Sequence, residues 1–165
     1  MRIISAPDPE SAEAVYADRA PLCLELDSVV HLLLWSCREL LHARQEGRAV
    51  RQVLGGLKGA PNRSSIIVLR LLASELTAAT RRTLEFGLPH CQHVLPDELR
   101  LLAAIDRIQV GDEVRASLLL QGLCANAEIS GLLEAAGHLG KALHENGITV
   151  RVMRLVPSAF IPSIH

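Results

Sequence analysis

The chain has 165 residues, of which 49% are hydrophobic but only 2% aromatic, and its formal net charge is −1. This length is sufficient for one domain with a large core that needs no disulfide or metal. The apolar residues are mainly Leu, Ala, Val and Ile, which favours packed helices over a β-sandwich or barrel. The charge balance lacks the basic excess that a nucleic-acid-binding or cationic membrane-binding surface requires, so we predict neither partner.

Residues 1–22 contain three prolines and no apolar signal-peptide core. We predict an N-terminal arm there, in which residues 11–19 could form a short helix, and which either packs on a neighbour or is a frayed end. No apolar run approaches the ~20 residues of a transmembrane helix. The four cysteines are isolated in the sequence, so we predict free thiols and a cytoplasmic protein.

Apolar residues at helical spacing predict five or six helices. The helix at residues 64–80 is apolar around most of its circumference, so we predict that it is the central helix of the domain. The other helices are predicted at residues 24–46, 49–57, 97–109, 112–124 and 128–145.

Two segments favour β-structure. Residues 82–86 either extend the preceding helix or form a short strand. Residues 148–156 alternate apolar and polar side chains, which predicts a C-terminal strand paired with residues 82–86, residues 2–5 or a second copy of the chain. The predicted fold is therefore a mainly α, single-domain bundle of five to six helices at residues 23–156, with a minor β element at 148–156 and an irregular tail at 157–165.

Two polar residues, Arg70 and Glu75, interrupt the apolar helix at residues 64–80. An unpaired buried charge is very costly. We therefore predict that both are buried polar residues with partners on other helices, unless the Arg70 side chain extends to solvent. A separation of five residues is unfavourable for a direct contact between them.

The turn between residues 88 and 96 contains the tightest group of metal-binding residue types, His90, Cys91 and His93. Imidazole and thiolate are typical zinc ligands. Two ligands adjacent in sequence point in different directions, however, and no second half of a standard zinc motif follows. The turn is thus interpreted as a structural junction, a zinc site or the site of a reactive thiol.

Other motifs give weaker signals. The glycines and Lys58 at residues 55–59 lack the spacing of a phosphate-binding loop and no strand precedes them. The second helix of the pair at 112–124 and 128–145 begins with acidic and apolar residues, which disfavours a DNA-recognition helix. Glu134 and His138 are predicted to form a surface pair, and His31 to be a hydrogen-bonded core histidine.

A group of features in a fixed order resembles an uncharacterised bacterial family of small helical proteins. These features are Leu33-Leu34-Trp35 with Arg38, the helix Val68-Leu69-Arg70-Leu71-Leu72-Ala73-Ser74-Glu75-Leu76, Arg81-Arg82, and His90-Cys91 six residues before Asp97-Glu98. The resemblance covers about residues 32–147 and implies a cysteine pair in the turn. Cys91 matches one member of that pair and His90 replaces the other, which weakens a thiol-pair role. The resemblance implies no activity.

The sequence contains no assembled catalytic set and indicates no cofactor beyond zinc at the turn. We therefore expect a non-enzymatic protein-interaction or regulatory module that acts as a homo-oligomer, with a homodimer in the bacterial cytoplasm as the expected form. The expectation of self-association depends on the small net charge and a mean hydropathy of +0.25. The alternative is a small-molecule or metal-binding protein, or an enzyme, with its site at His90, Cys91 and His93.

Overall fold

The computed structural model describes residues 3–4 (backbone), 20–46, 63–125 and 128–156. The described chain is mainly helical, which confirms the predicted fold class. Its helices are α1 (Ser28–Gln45), α2 (Arg63–Ala79), α3 (Pro96–Gln109), α4 (Glu113–Cys124) and α5 (Ser130–Glu145). None of these helices combines the length and apolar character that crossing a membrane requires. The helices predicted at residues 11–19 and 49–57, and the predicted tail, lie outside the described residues.

The most enclosed helix is α3, which packs against α4 and α5. Nine of its residues between Asp97 and Asp106 are buried, among them three acids. Pro96 starts the helix with a preset φ angle, and acidic residues in the first turn favour its positive end. The prediction that the helix at residues 64–80 is central was wrong, because α2 exposes one side that carries Ile67 and Leu71.

The β-structure is small and lies before α3. β1 (Ile3–Ile4) and β2 (Leu84–Glu85) pair in parallel, with Ile3 opposite Leu84 and Ile4 opposite Glu85. The short strand predicted within residues 82–86 is therefore confirmed, and the alternative of a longer preceding helix is wrong. β2 also contacts α3, so the pair lies against the central helix.

The predicted C-terminal strand at residues 148–156 was wrong. The segment alternates buried and exposed side chains, with Val150 and Val152 buried, but it ends in a 3-10 turn at Met153–Leu155. Side chains of α3 replace the missing neighbouring strand. Gln109 accepts the Val150 N–H at 2.8 Å, and Asp106 accepts the Val152 N–H at 2.9 Å. The alternation of apolar and polar residues at 148–156 therefore indicates an extended segment that packs on the core, and not a strand in a sheet.

Candidate functional site

The start of α3 is joined to α1 by an enclosed ion pair. The side chains of Arg38 and Glu98 are 1% and 0% exposed, and two parallel hydrogen bonds of 2.7 Å connect the guanidinium to the carboxylate. The guanidinium also donates to the carbonyl oxygens of Cys91 at 2.8 Å and His93 at 2.7 Å. Burial by itself lowers the pKa of Arg38, but the bonds to Glu98 outweigh it, so the pKa is raised and the group stays charged.

Glu98 also holds the loop at residues 87–95 at both ends. Its Oε1 accepts the Gly87 N–H and its Oε2 accepts the Leu95 N–H, both at 2.8 Å. With the two bonds from Arg38, the carboxylate therefore accepts four hydrogen bonds. A buried carboxylate that is paired and fully bonded in this way stabilises one conformation of the loop.

Gly87 is a tightly packed point of this loop beside α1. A Cβ at this position would lie 2.9 Å from the Cys91 Cβ and 3.3 Å from the Arg38 Cζ, so a larger residue does not fit without movement. The Gly87 carbonyl oxygen lies 3.2 Å from Nε2 of His42, a buried residue of α1. Arg38 and His42 are one helical turn apart, so one face of α1 holds the loop at two points.

The segment before α1 pairs with the other half of the loop. Leu22 and His93 form an antiparallel bridge, and the Cys23 N–H donates to the Gln92 carbonyl oxygen at 2.7 Å. The pairing brings the Cys23 Sγ to 3.4 Å from the carbonyl oxygen of Cys91 and to 3.7 Å from Nη1 of Arg38. Two cysteines separated by 68 residues thus lie beside one buried guanidinium.

Asp97 forms a second charged junction next to the first. Its carboxylate, 2% exposed, accepts two hydrogen bonds from Arg82 at 2.6 and 2.8 Å and one from Arg100 at 2.9 Å. It also accepts the backbone N–H of Glu85 at 2.9 Å, which joins β2 to α3. The hydrogen bond and charge of Asp97 raise the pKa of Arg82 above its ordinary value.

The outer side of the loop forms a cleft of about 400 Å³, named here the Cys91 cleft. Its lining residues are Leu22, Cys23, Leu24, His31, Pro89, His90, Cys91 and Gln92. His31 is half-buried in the wall of this cleft, so it is not the core histidine that the sequence predicted. The buried histidine of α1 is His42. Arg38 and Glu98 do not line the cleft, and their bonding is structural.

The predicted zinc ligands are not assembled into a site. Among the described residues, no group of three or more His, Cys, Asp or Glu side chains is arranged to hold a metal ion. His90 is exposed, whereas Cys91 and His93 are half-buried. The Cys91 thiol is 3.6 Å from the carbonyl oxygen of His93. The residues are part of the loop that Arg38 and Glu98 hold, with Cys91 lining the cleft.

The two predicted buried polar residues of α2 differ from each other, and Arg70 takes the solvent-exposed alternative. Arg70 is exposed, because it lies on the same side of α2 as Ile67 and Leu71 and opposite the buried stripe. Glu75 is half-buried and faces the first turn of α5, where a Cβ at Gly131 would lie 2.5 Å from its Oε2. The positive end of a helix favours a carboxylate in this position. Glu75 therefore has the interhelical contact that was expected, and Arg70 does not.

A second surface feature lies between the C-terminal half of α1 and the middle of α2, named here the α1–α2 face. It is a cleft of about 310 Å³ lined by Leu40, Arg44, Ile67, Arg70, Leu71, Ala73 and Ser74. Ile67 is 65% exposed and Leu71 is 42% exposed, one helical turn apart. Within the described part of the chain, Arg44 and Arg70 make no ion pair across this cleft.

No family model, curated protein or solved structure matches the chain. The resemblance to an uncharacterised bacterial family therefore stays a prediction.

The sequence interpretation missed Arg38 and Glu98. The signal for Arg38 was present, since it lies one turn from Leu34 and three residues before Leu41, both on the buried stripe of α1. A charged residue at such a position requires a buried partner. The sequence placed Glu98 only at the start of a helix. The Glu98 carboxylate does accept the Leu95 N–H at that helix start, but it also pairs with Arg38 of α1.

The predicted surface pair of Glu134 and His138 is confirmed, with the two side chains 3.6 Å apart.

Proposed function

We propose that the protein is a cytoplasmic, non-enzymatic interaction module that self-associates through the α1–α2 face. The observation that carries this proposal is the pair of exposed apolar side chains, Ile67 and Leu71, beside a concave surface. Exposed apolar side chains next to a cleft are typical of surfaces that another protein covers. The four free thiols fit a reducing compartment.

A second copy of the chain is the partner that the charge balance favours. The formal net charge of −1 gives little electrostatic repulsion between two copies. In a twofold dimer the same face of each copy meets the other, so the apolar stripe of one α2 covers that of its partner. Arg44 and Arg70 at the edge keep their charges in water while their aliphatic stems add to the covered area.

The test compares two single substitutions in sedimentation velocity over a range of protein concentrations. Ile67→Glu places a charge in the α1–α2 face, whereas Val114→Glu places the same charge on α4, at a residue that is 61% exposed. The two wild-type side chains are almost equally exposed, at 65% and 61%. We expect the wild type and Val114→Glu to self-associate and Ile67→Glu to be monomeric.

Two results would refute this proposal. One is a wild-type protein that sediments as a monomer at every concentration. The other is equal association of Ile67→Glu and Val114→Glu, which would move any interface away from the α1–α2 face. Circular dichroism of each variant verifies that the helical content is unchanged.

A small-molecule-binding protein is the second candidate, and the Cys91 cleft favours it. This cleft of about 400 Å³ brings His31 of α1 together with His90 and Cys91 of the loop at residues 87–95. Native mass spectrometry of the purified protein tests this candidate through the mass of any bound molecule. Leu24 is 88% exposed at the cleft wall, so Leu24→Asp is expected to release such a molecule without unfolding the protein. A wild type with no added mass argues against this candidate.

A further inference from the structure

We propose that Cys23 and Cys91 are a thiol pair that a small disulfide oxidises to an intramolecular disulfide through the Cys91 cleft. This inference does not depend on the proposed self-association. It follows from the pairing of two segments of the chain and from the unequal exposure of the two thiols. The ligand class is a low-molecular-weight disulfide, with oxidised glutathione as the probe.

The thiol of Cys23 lies against the backbone of Cys91. The Sγ of Cys23 is 3.4 Å from the backbone carbonyl oxygen of Cys91, and both residues line the same cleft. The backbone on both sides is fixed, because Cys23 is bonded to Gln92 and the Cys91 carbonyl accepts from Arg38. This adjacency of Cys23 to Cys91 on hydrogen-bonded segments is the geometric basis of the proposed disulfide.

The unequal exposure of Cys23 and Cys91 determines which cysteine reacts first. Cys91 is half-buried and opens to the cleft, whereas Cys23 is 3% exposed. A disulfide from solution therefore meets Cys91 first. Burial raises the pKa of the Cys23 thiol, and the charge of Arg38 acts in the opposite direction while that of Glu98 adds to the rise.

The chemistry is two successive thiol–disulfide exchanges. The Cys91 thiolate attacks one sulfur of oxidised glutathione, the S–S bond of glutathione breaks, and one glutathione thiolate leaves. The Cys23 sulfur then attacks the Cys91 sulfur of the mixed disulfide, its proton passes to the departing second glutathione, and the Cys23–Cys91 bond forms. The two protein thiols lose two electrons, and the glutathione disulfide gains them.

The other two cysteines lack these features. Cys37 and Cys124 are 5% and 0% exposed, and neither lines the Cys91 cleft. Burial raises the pKa of Cys37 to about 12 and raises that of Cys124 above its ordinary value. Thiols that are enclosed and protonated react slowly with disulfides in solution. They serve as internal controls in the same molecule.

The new bond would tie the segment before α1 to the loop at residues 87–95. Both are already held by Arg38, so the disulfide would make a hydrogen-bonded contact covalent. It would close a loop of 68 residues, and cross-links across long loops restrict the unfolded chain strongly. The oxidised protein is therefore expected to unfold at a higher temperature than the reduced protein.

The experiment treats the reduced full-length protein with oxidised glutathione, blocks the remaining thiols by alkylation, and maps the peptides by mass spectrometry. We expect the free thiols to fall from the four of the untreated chain to two. The expected product is a peptide containing Cys23 linked to a peptide containing Cys91. Cys23→Ser is expected to keep glutathione on Cys91, and the control Cys37→Ser to give the same linked peptide as the wild type.

Three outcomes would overturn the proposal. They are four thiols that stay free, a wild type that keeps glutathione on Cys91, and a Cys91 linked to a second copy of the chain. Peptide mapping of the wild type alone separates these outcomes from the expected one. The result therefore does not depend on whether a serine variant folds.

Discussion

The start of α3 and the α1–α2 face use arginine in opposite ways. Arg38 is 1% exposed and bonded to Glu98 and two carbonyl oxygens. Arg44 and Arg70 are exposed beside Ile67 and Leu71, and no described residue forms an ion pair with either of them. One region thus encloses its charges, and the other exposes apolar side chains to water.

The start of α3 stabilises the fold, whereas the α1–α2 face is free to contact a partner. Removing one member of a buried ion pair leaves a charge that the protein cannot solvate, so the start of α3 is sensitive to small changes. Removing an exposed side chain leaves the core intact, so the α1–α2 face tolerates substitution. The following predictions run from the largest expected loss of stability to the smallest.

Glu98→Gln is expected to give the largest loss of stability. The substitution removes the charge that balances Arg38 while keeping the size of the side chain. We expect the free energy of unfolding, measured in urea by far-ultraviolet circular dichroism, to fall by about 3–5 kcal/mol. The control Glu113→Gln changes an exposed glutamate in the first turn of α4 and is expected to cost less than about 1 kcal/mol. Equal losses for the two variants would refute the structural role of the buried pair.

Asp106→Ala is expected to cost less. It removes the acceptor of the Val152 and Met153 N–H groups, but its cation, Arg107, is 20% exposed and keeps access to water. Leaving buried donors unpaired predicts a loss of about 1–3 kcal/mol in the same urea experiment. Asp27→Ala is the matched control, because Asp27 is exposed and makes no side-chain capping bond. A loss no greater than that of the control would show that Asp106 does not hold the C-terminal segment.

The buried thiol of Cys37 is expected to make the free energy of unfolding depend on pH. Burial raises its pKa from 9.0 to about 12, so between those pH values the unfolded chain loses this proton and the folded chain keeps it. Stability from this group is complete below pH 9 and is lost as the pH rises towards 12. In urea unfolding, the free energy of unfolding of the wild type is expected to fall between pH 7 and pH 10. The fall should be smaller by about 1 kcal/mol in Cys37→Ala, which lacks this thiol. The same decrease in both proteins would contradict this assignment.

Ile67→Glu is expected to change stability least, although it is expected to abolish self-association. The side chain is exposed, so the free energy of unfolding of the monomer should stay within about 0.5 kcal/mol of the wild-type value. Urea unfolding at a low protein concentration isolates the monomer. A large loss would show that Ile67 supports the fold itself, which would remove the contrast between the two regions.

Local pattern was sufficient to predict most helices. The sequence Pro96-Asp97-Glu98 marks the start of α3, and apolar spacing gives the positions of α1, α2, α4 and α5 within a few residues. These signals are local, because a helix end depends on neighbouring residues and on which of its sides is apolar. The alternation at residues 148–156 correctly predicted an extended segment with one buried side. It did not predict that the side chains of α3 would be the hydrogen-bonding partners of this segment.

The sequence by itself therefore determined the mainly α class and the approximate positions of the five helices in the described part of the chain. The tertiary structure decided that α3 is the central helix, that Arg38 pairs with Glu98 across 60 residues, and that α3 side chains replace a β partner for the C-terminal segment. It also decided that Cys23 lies beside Cys91. The physical reason is that periodicity records how a segment meets the core, whereas the partner of a buried charge, N–H group or thiol depends on which distant segment packs against it.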